Sequence, residues 1–527
     1  MKPLALALGA AVLLRLVLLA WLPLLDPAEG RYGEIGRKMA ELGDWITPWH
    51  QYGVPFWGKP PLSFWMTAAS LDVLGLHEFA ARLPHFMAGV ATALCVWNVA
   101  RRSVGNTSPA GAQTGGPSDC GRPQEGLMAA AILGTGLLFF LSSGAVMTDA
   151  ALVLGTTMAT TGAWLAIAGA DGAQRRRQGW LAFVGGAIGI LAKGPLALVL
   201  VGTPLLLWAA WCGQWRLLWA ALPWVRGALL MAALTMPWFI VAEMKTPGFF
   251  EYFFVGEHYH RFVTPGWSGD LYGKAHHEPK GMIWLFAAGA CLPWSLLIPA
   301  LALQRFMARG PALHHAGGGF GASDAARVSP AEESRFVWLA ALVPLVFFTA
   351  SSNIIWTYVL PAMPGLAWWA ARWMGRNPRQ GLRWTTAGVV IAVVAWGTLA
   401  VVAERIGRLD RASAKELVAA CDAAWAQYTG EPSAAQQAQL PGTRGDAAMP
   451  RLILLGRRSF SSHFYTHGRT LRVDSLDEVG PRWPAQGVCL AVKEDDPMSQ
   501  AAAQRGALMV QALGVHHERR LWWVKAP

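Results

Sequence analysis

Residues 26–65 read DPAEGRYGEIGRKMAELGDWITPWHQYGVPFWGKPPLSFW and follow directly on an apolar segment, residues 4–25, that is long enough to span a membrane. Much of the rest of the chain is built from Leu, Ala, Val and Trp. This stretch instead carries many polar groups: Asp26, Glu29, Arg31, Tyr32, Glu34, Lys38, Asp44, His50 and Lys59. The contrast predicts a membrane protein whose chemistry is concentrated in this loop.

The pattern within the loop predicts a short surface helix followed by extended chain. Residues 29–42 place apolar or small side chains at roughly helical spacing with charges between them, which is typical of a helix lying on a bilayer. Gly43 ends it. Further on, Pro60 and Pro61 stiffen the backbone just after Lys59, so that lysine is fixed in place. The alternative is an interfacial loop whose Trp and Lys residues only anchor it at headgroup level.

Composition supports a polytopic membrane protein. The 527 residues are 54% hydrophobic, include 28 Trp and are only 14% charged, against roughly one quarter charged in soluble domains. The first segment ends without a small-residue cleavage site, which favours a span over a signal peptide. Although the formal charge is +12, the basic residues lie mostly between apolar segments, as orientation signals do. No nucleic-acid-binding module is found.

The fold class predicted is an all-α polytopic membrane protein with about 11–13 transmembrane helices and a small C-terminal α/β domain. Basic residues lie in every second loop, so the positive-inside rule places the polar loops 26–62 and 244–281, with the C-terminal tail, together on the non-cytoplasmic side. The predicted spans are residues 4–25, 75–100, 127–147, 149–170, 179–193, 195–212, 222–243, 282–303, 336–350, 356–374 and 384–403.

The chain is expected to divide into a transmembrane domain, residues 1–403, and a soluble domain, residues 404–527, on the same side of the membrane as the polar loops. Loops 103–125 and 309–334 are rich in Gly, Ala, Ser and Pro, which predicts disordered spacers. The tail predicts a helix at 413–428, a Pro/Gln/Gly-rich link at 431–450 and strands at 451–455, 470–473 and 488–492. In an oxidising compartment Cys421 and Cys489 are a candidate disulfide.

A second polar constellation lies in the loop 244–281. Aromatic residues flank Glu257, His258 and Arg261, which suits a membrane-surface helix that presents polar groups to a lipid headgroup. Asp149, Lys193 and Arg15 lie at or within apolar spans, where ionisable groups are costly and become functional candidates, although Arg15 also fits a snorkelling role. His276-His277-Glu278 leaves a divalent metal open as a cofactor, but no second cluster has ligand spacing, so no metal ligand is assigned.

Several of these motifs, in order over roughly residues 20–365, resemble the bacterial aminoarabinose (lipid A) transferases, which belong to the protein O-mannosyltransferase-like group of GT-C glycosyltransferases. The motifs that carry the resemblance are Arg31-Tyr32-Gly33-Glu34-Ile35, Gly43-Asp44-Trp45, Lys59-Pro60-Pro61, Phe79-Ala80-Ala81-Arg82-Leu83-Pro84, Thr148-Asp149, Lys193-Gly194, Glu257-His258, Arg261-Phe262 and Tyr358-Val359-Leu360-Pro361. The C-terminal domain is similar to theirs only in position.

The resemblance implies a multi-pass enzyme of the bacterial inner membrane that transfers a sugar from a polyprenyl phosphate to a lipid A-like, glycan or protein acceptor on the periplasmic side. Carried over by motif, Lys59 and Arg31 bind the donor phosphate, Tyr32 lines the site and an acid of the first loop activates the acceptor. Arg261 joins the phosphate-binding set. The expected substrate-binding residues are Glu34, Asp149, Glu257, His258 and Tyr358.

The sequence departs from the family pattern at the catalytic position. The relatives usually have Asp-Glu before the Arg-Tyr, whereas this chain has Ala28-Glu29, and they usually have Glu where Gly58 stands. Glu29 is adjacent to the vacated position and its extra methylene extends its reach, so it is the first candidate for the base, with Asp26 second. Glu34 lies about 140° away from Glu29 around a helix and is expected to pair with Arg31 or Lys38.

Two other functional classes are consistent with a polytopic basic chain. A transporter or flippase of lipid-linked sugars is expected to show internal repeats and broken helices at mid-membrane. A non-catalytic lipid-binding relative would follow from the alanine at position 28. The crowding of polar groups at one interface, with cations for a phosphate and a carboxylate for a proton in the same loop, favours the transferase.

Overall fold

The computed structural model describes residues 1–102, 123–169, 171–273, 276–307, 327–430, 449–493 and 508–525. These residues form two compact units. Unit 1 consists of Met1–Leu16, Trp57–Leu62 and His85–Trp396, and unit 2 of Val17–Phe56, Ser63–Pro84 and Gly397–Pro527. The predicted division into domains 1–403 and 404–527 stays a prediction. Unit 2 contains most of the first polar loop together with the C-terminal region.

Helices account for most of the described chain. The α-helices are Lys2–Trp21, Ala28–Leu42, Leu62–Leu74, Glu78–Arg101, Pro123–Thr135, Leu137–Ser142, Asp149–Ala168, Gly172–Lys193, Leu196–Cys212, Trp215–Ala221, Trp224–Lys245, Arg261–Val263, Met282–Ala290, Trp294–Met307, Pro330–Thr349, Met363–Gly375, Pro378–Arg405, Arg408–Ala412, Lys415–Thr429 and Phe460–Tyr465. Glu251–His260 is a π-helix, and Trp356–Ala362 and Leu476–Arg482 are 3₁₀-helices.

The protein is a multi-pass membrane protein. Five helices of the described residues are long and apolar enough to cross a bilayer, and a sixth span is possible if one bent pair of helices counts as one. The five are Lys2–Trp21, Glu78–Arg101, Asp149–Ala168, Trp224–Lys245 and Pro378–Arg405, and the pair, bent by 84°, is Met282–Ala290 with Trp294–Gln304. The other predicted spans coincide with helices that are shorter or more polar.

Several predicted boundaries are corrected. The region 127–147 is two helices separated at Gly136, whose backbone is extended. The helix Leu62–Leu74 was not predicted, because prolines 60 and 61 suggest a loop, although proline is also common at a helix start. The predicted spacers 103–125 and 309–334 lie mostly outside the described residues. Their last residues are helical, because the helices Pro123–Thr135 and Pro330–Thr349 begin within the predicted spacers.

Unit 1 is built around a closely packed pair of helices, Asp149–Ala168 and Gly172–Lys193. A Cβ atom at Gly155 would lie 2.4 Å from the Gly189 nitrogen, so only glycine permits this approach. Small residues bring membrane helices together in this way. Because the two helices run in opposite directions along the chain, the first residue of one, Asp149, lies beside the last residue of the other, Lys193.

Aromatic side chains fill the core behind this pair. Trp164 stacks on Phe336 with ring centroids 4.4 Å apart and an interplanar angle of 11°. Trp208 and Trp368 pack edge-on against Trp164, with ring centroids 5.4 and 6.4 Å from it. All four side chains are almost completely buried. Large rigid rings fix the relative positions of the helices that carry them.

Strands β1 (Trp49–Gln51) and β2 (Val54–Pro55) form a hairpin in unit 2. A separate five-stranded sheet contains β3 (Leu452–Leu455), β4 (Thr470–Val473), β5 (Val488–Lys493), β6 (Leu508–His516) and β7 (Arg519–Lys525), in the order β4-β3-β5-β7-β6. The β3 strand pairs in parallel with β4 and β5, and β7 pairs antiparallel with β5 and β6. The small C-terminal α/β fold is confirmed, and β6 and β7 were not predicted.

A helix and a disulfide close the core of this sheet. The helix Lys415–Thr429, predicted at 413–428, packs its buried face on the strands. Cys421 on the helix and Cys489 on β5 form the disulfide that the sequence suggested. Trp425 and Trp523 pack edge-on with ring centroids 5.4 Å apart. The predicted link 431–450 lies outside the described residues except for residues 449 and 450.

The predicted surface helix exists as Ala28–Leu42, and Gly43 ends it with φ of 63°. Its polar face, however, is buried in unit 2 instead of lying on a bilayer. A Cβ atom at Gly30 would lie 2.7 Å from the Ser461 nitrogen, so the helix Phe460–Tyr465 lies directly against it. Glu34 is only 2% exposed and Lys38 only 3%. The charges of this helix therefore serve contacts within the protein.

Candidate active site

In unit 1, the helix pair described above places an ion pair at its end. The Asp149 carboxylate lies 2.7 Å from the Lys193 ammonium, and both side chains are largely buried. The ring centroid of Tyr358 is 5.6 Å from the same ammonium. Asp149 and Tyr358, both predicted to bind substrate, thus meet at Lys193. A cation shared between a carboxylate and an aromatic face is a cation kept in a fixed position.

Glu257 joins two cations in the same unit. It lies on the π-helix Glu251–His260, and its carboxylate is 2.6 Å from the Lys59 ammonium and 3.0 Å from an Arg261 guanidinium nitrogen. Arg261 also contacts Asp270 at 3.2 Å. The Glu257 side chain is 4% exposed, whereas Lys59 and Arg261 are 22% and 20% exposed. A buried carboxylate therefore fixes two cations that stay accessible.

The environment of Glu257 keeps it ionised. Burial alone would raise the pKa of Glu257. The charges of Lys59 and Arg261 and their hydrogen bonds outweigh burial, so the pKa of Glu257 lies below its usual range. A carboxylate with a lowered pKa is a poor proton acceptor at neutral pH. Its geometry suits the positioning of Lys59 and Arg261.

His258 connects the two ion pairs. One ring nitrogen lies 2.8 Å from the Phe253 carbonyl oxygen and the other 3.1 Å from the Lys193 carbonyl oxygen. Gly194 follows with φ of 76°, and a Cβ there would lie 2.7 Å from the Phe253 ring. The Lys193-Gly194 motif is thus required by this close approach. His258 is a link between backbone segments, next to Glu257.

The chain before Lys59 is fixed by tyrosines that the sequence did not suggest. The Trp57 backbone amide donates to the Tyr272 hydroxyl at 3.0 Å, and the Trp57 indole donates to the Thr246 hydroxyl at 3.2 Å. The Tyr252 hydroxyl donates to Glu257 at 3.3 Å. Lys59 is therefore positioned by side-chain contacts as well as by the prolines that follow it. The aromatic richness of the loop 244–281 was the available signal.

In unit 2, Glu29 is engaged by an arginine that the base assignment did not consider. The Arg82 guanidinium donates to both carboxylate oxygens, at 3.0 and 2.7 Å, and also to the Leu19 carbonyl oxygen at 3.1 Å. Both charged side chains are buried. Arg82 belongs to the Phe79–Pro84 motif, so the resemblance contained its position but not its partner. The bidentate contact fixes the orientation of Glu29.

Asp26 is occupied by the chain around Ser459. Its Oδ1 atom accepts from the backbone amides of Phe460 and Ser461 at 3.1 and 2.8 Å. Its Oδ2 atom accepts from the hydroxyls of Ser459 and Ser461 at 2.6 and 2.8 Å. Since a carboxylate offers about four acceptor positions, these bonds use its full capacity. Asp26 anchors the start of the helix Phe460–Tyr465.

Arg31 and Tyr32 lie in an aromatic cluster of unit 2. The Arg31 guanidinium carbon is 5.5 Å from the Tyr32 ring centroid, 5.9 Å from that of Phe56 and 5.7 Å from that of Phe460. Tyr32 itself packs on Phe64 with centroids 5.6 Å apart. Stacking on these rings fixes the plane of the guanidinium.

Glu34 forms a bidentate pair that was not predicted. Its oxygens accept from Arg37 at 2.7 and 2.9 Å, and Lys38, one of the two expected partners, lies at 3.7 Å. Burial raises the pKa of Glu34, but Arg37 and Lys38 lower it to about 2. Helical residues three or four positions apart face each other, so Glu34 can pair with Arg37 as well as with Lys38.

The open question of a divalent metal finds no supporting geometry. Among the described residues, no group of three or more His, Cys, Asp or Glu side chains is placed to hold a metal ion. His277 pairs with Asn353 through a short backbone bridge, and its ring contacts the Ser352 carbonyl oxygen at 3.1 Å.

A buried histidine of unit 2 makes stability depend on pH. Burial lowers the pKa of His463 from 6.5 to about 3. Its Nε2 atom has no hydrogen-bond partner in the described part of the chain. Between those two pKa values the unfolded chain binds a proton that the folded protein does not, so stability is lost as the pH falls below about 6.5.

We therefore expect the apparent melting temperature at a fixed scan rate to fall between pH 7 and pH 4.5, and to fall less in His463→Gln. The neutral glutamine removes one proton-linked group and leaves the others. The exposed His276→Gln variant serves as the control and should show the wild-type pH dependence. An unchanged pH dependence in His463→Gln would show that this histidine does not contribute.

Comparison with known proteins adds to this geometry. A family model described as dolichyl-phosphate-mannose-protein mannosyltransferase matches residues 121–253, and a second with the same description matches residues 58–113. An undecaprenyl phosphate-alpha-4-amino-4-deoxy-L-arabinose arabinosyl transferase of Pseudomonas aeruginosa is 29% identical over 349 residues, which cover 65% of this chain and 54% of the relative. One of Pseudomonas fluorescens is 26% identical over 371 residues, 67% of this chain and 55% of the relative.

The chain resembles the aminoarabinose transferases. It spans about half the length of the curated relatives that it matches. The crystal structure of ArnT from Cupriavidus metallidurans bound to undecaprenyl phosphate superimposes with a TM-score of 0.74 at 18% identity, over 98% of this chain and 97% of that one. This likeness shows that the GT-C membrane fold predicted from the motifs is correct.

Proposed function

We propose that this protein is a membrane glycosyltransferase that moves a pentosyl or hexosyl unit from a polyprenyl-phosphate donor to a lipid A-like, glycan or protein acceptor. The names of the curated relatives and the fold shared with ArnT support the reaction class. The observation that carries the proposal is the pair of accessible cations, Lys59 and Arg261, fixed on the buried carboxylate of Glu257.

This pair suits a phosphate leaving group. In the reaction, the bond between the anomeric carbon and the donor phosphate oxygen breaks, and a bond from the anomeric carbon to an acceptor oxygen forms. The phosphate gains negative charge as that bond breaks, so fixed cations stabilise the transition state more than the ground state. Lys59 and Arg261 retain part of their exposure and are available to a lipid phosphate. Glu257 orients both of them.

The acceptor hydroxyl must lose its proton, and a carboxylate is the simplest base. Glu29 remains the first candidate, with its orientation fixed by Arg82. Asp26 is the second candidate: its carboxylate accepts four hydrogen bonds from the chain at Ser459–Ser461, whereas that of Glu29 accepts two from Arg82 and one from the Leu25 amide. We assign Arg31 and Tyr32 to donor binding, and Asp149, His258 and Tyr358 to contacts with the sugar or the acceptor.

Mass spectrometry of envelope lipids and glycans tests the proposal. Cells that lack the protein should lose a sugar modification that the wild-type gene restores and a Lys59→Ala variant does not. The same purified protein in lipid nanodiscs should transfer sugar from a polyprenyl-phosphate donor to an extracted acceptor. If no glycan or lipid differs between the strains, and no sugar is transferred in vitro, the proposed reaction is wrong.

We also propose that the site faces the periplasm of a bacterial inner membrane. Single cysteines at Trp45 and Asp474, both in unit 2, should react with a membrane-impermeant maleimide in intact spheroplasts. Arg177 is an exposed residue near the start of the helix Gly172–Lys193 and lies between the predicted spans 149–170 and 179–193, on the side predicted to be cytoplasmic. A cysteine there should react only after the membrane is opened. Labelling of Trp45 and Asp474 from opposite sides would contradict the topology.

A further inference from the structure

The helix bundle of unit 1 encloses a cavity, of which about 30 Å³ can be reached by the centre of a water molecule. One wall is formed by threonines of the helix Asp149–Ala168: Thr156, Thr157, Thr160 and Thr161. They lie in the middle of a helix that is long and apolar enough to cross a bilayer. A hydroxyl-rich wall at this depth requires hydrogen-bond partners, because a polar group buried without one is costly.

Two of these hydroxyls have partners within their own helix. Thr156 donates to the Leu152 carbonyl oxygen at 2.9 Å. Thr161 donates to the Thr157 carbonyl oxygen at 2.7 Å. The Thr157 hydroxyl itself has no hydrogen-bond partner among the described residues, and this side chain is only 4% exposed. In a native protein such a buried hydroxyl is usually paired with ordered water, since leaving it unpaired destabilises the fold.

Prolines add unpaired carbonyl groups to the same cavity. Pro204 and Pro344 lie inside helices and line it. Leu200 and Ala340, which stand four positions before these prolines, line it as well. Proline has no N–H, so it cannot donate the helical hydrogen bond to the carbonyl oxygen four residues earlier. In membrane helices ordered water is one of the groups that replace this missing donor.

The size and chemistry of the cavity suit water. One water molecule needs roughly 10–15 Å³ of such volume and two to four polar partners, so there is room for about two. The Thr157 hydroxyl and the carbonyl groups of Leu200 and Ala340 supply those partners. None of the described residues that line the cavity is charged. A neutral lining favours water over an ion, because a buried ion needs an opposite charge or a full set of ligands.

We propose that this cavity is an internal water site, in which Thr157 and the carbonyl groups freed by Pro204 and Pro344 bind about two water molecules. The Thr157 hydroxyl donates to a water oxygen, and the waters donate to the freed carbonyl oxygens. Bound water thus completes the hydrogen bonding of two proline-containing helices where they meet the helix Asp149–Ala168. None of these residues has a role in the proposed transfer, so the water site does not depend on the proposed function.

X-ray hydroxyl radical labelling of the full chain in nanodiscs tests for water inside the bundle. A short X-ray pulse converts water into hydroxyl radicals, which modify the side chains beside it. Trp368 lines the cavity and is only 2% exposed, whereas Trp208 is equally buried, at 0%, and does not line it. We expect Trp368 to be labelled several-fold more than Trp208.

Thr157→Val retains the shape of the side chain and removes its hydroxyl. It should lower the labelling of Trp368 several-fold and leave that of Trp208 unchanged. Thr92→Val is the matched control, because Thr92 is fully buried and donates to the Ala88 carbonyl oxygen at 2.8 Å within its own helix. It should show wild-type labelling of Trp368. Thr157→Ser keeps the hydroxyl and should retain most of the labelling, which separates water binding from a folding defect.

The direction of the change in stability is a second readout. If water pairs with the Thr157 hydroxyl, Thr157→Val removes a partner of that water, and the apparent melting temperature should fall. If the cavity is dry, the same substitution removes an unpaired buried hydroxyl, and the melting temperature should rise.

Four results would overturn the water site. They are equal labelling of Trp368 and Trp208 in the wild type, wild-type labelling of Trp368 in Thr157→Val, a higher melting temperature of Thr157→Val, and a melting temperature that differs between sodium, potassium and choline chloride. The first and third results would identify a dry cavity. The second would show that Thr157 does not hold the water, and the fourth would identify a cation as the occupant.

Discussion

Replacing Lys59 by alanine is expected to lower the rate of sugar transfer by about 10²-fold to 10³-fold, the usual effect of removing one fixed donor from a developing negative charge. The Lys59 ammonium lies 2.6 Å from the Glu257 carboxylate and is partly exposed. The substitution removes the positive charge that contacts the donor phosphate. This contact is stronger in the transition state than in the ground state, because the phosphate gains negative charge as its bond to the sugar breaks. Transfer and binding of polyprenyl phosphate should both be measured on the purified protein in nanodiscs.

The fold should tolerate this change. Glu257 keeps its contacts with Arg261 at 3.0 and 3.2 Å, so no buried carboxylate is left without a cation. Lys280→Ala is the control, because Lys280 is an exposed lysine of the loop 244–281 that also contains Glu257. It should retain wild-type transfer. If Lys59→Ala transfers sugar at the wild-type rate, Lys59 does not bind the donor phosphate and the proposed site is wrong.

Glu29→Gln is expected to reduce turnover per folded molecule by about 10²-fold to 10⁴-fold, which is the usual contribution of a general base. The substitution retains the shape of the side chain and removes its ability to take a proton. It also leaves the buried Arg82 charge without its carboxylate, which typically costs about 3–5 kcal/mol of stability for a broken buried pair. Turnover must therefore be normalised to the folded fraction.

Arg82→Gln separates the two effects. It breaks the same pair, whose atoms lie 2.7 Å apart, and it retains the carboxylate of Glu29. Both variants should lower the apparent melting temperature. Arg82→Gln should lower turnover in part, because it releases the orientation of Glu29, and only Glu29→Gln should abolish most of it. Equal losses of turnover in the two variants would show that Glu29 acts through the position of the loop and is not the base.

The second carboxylate has its own expected result. Asp26→Asn disturbs the hydrogen bonds to Ser459 and Ser461, so its main effect should be on stability. If Asp26→Asn is inactive while folded and Glu29→Gln is active, the base is Asp26. If both variants transfer sugar normally, the carboxylate of the first loop has no catalytic role.

Local signals in the sequence were sufficient for much of the fold. The helix Ala28–Leu42 and its end at Gly43 follow from periodicity and a glycine, and the strands Leu452–Leu455 and Thr470–Val473 follow from short β-branched and leucine-rich runs. The helix Leu62–Leu74 was missed because it is apolar on all sides and preceded by two prolines. An apolar periodicity identifies a helix only when one face is polar, so a helix that is apolar on every face gives no such signal.

The sequence by itself determined the class of protein, most helix positions and the residues with chemical potential, because length, hydropathy and turn residues act locally. Only the tertiary structure decided which of those residues meet. Arg82 reaches Glu29 across 53 positions, and Lys59 reaches Glu257 across 198. No local pattern encodes such contacts, since they depend on the packing of whole helices and on which buried charge finds an opposite charge at low cost.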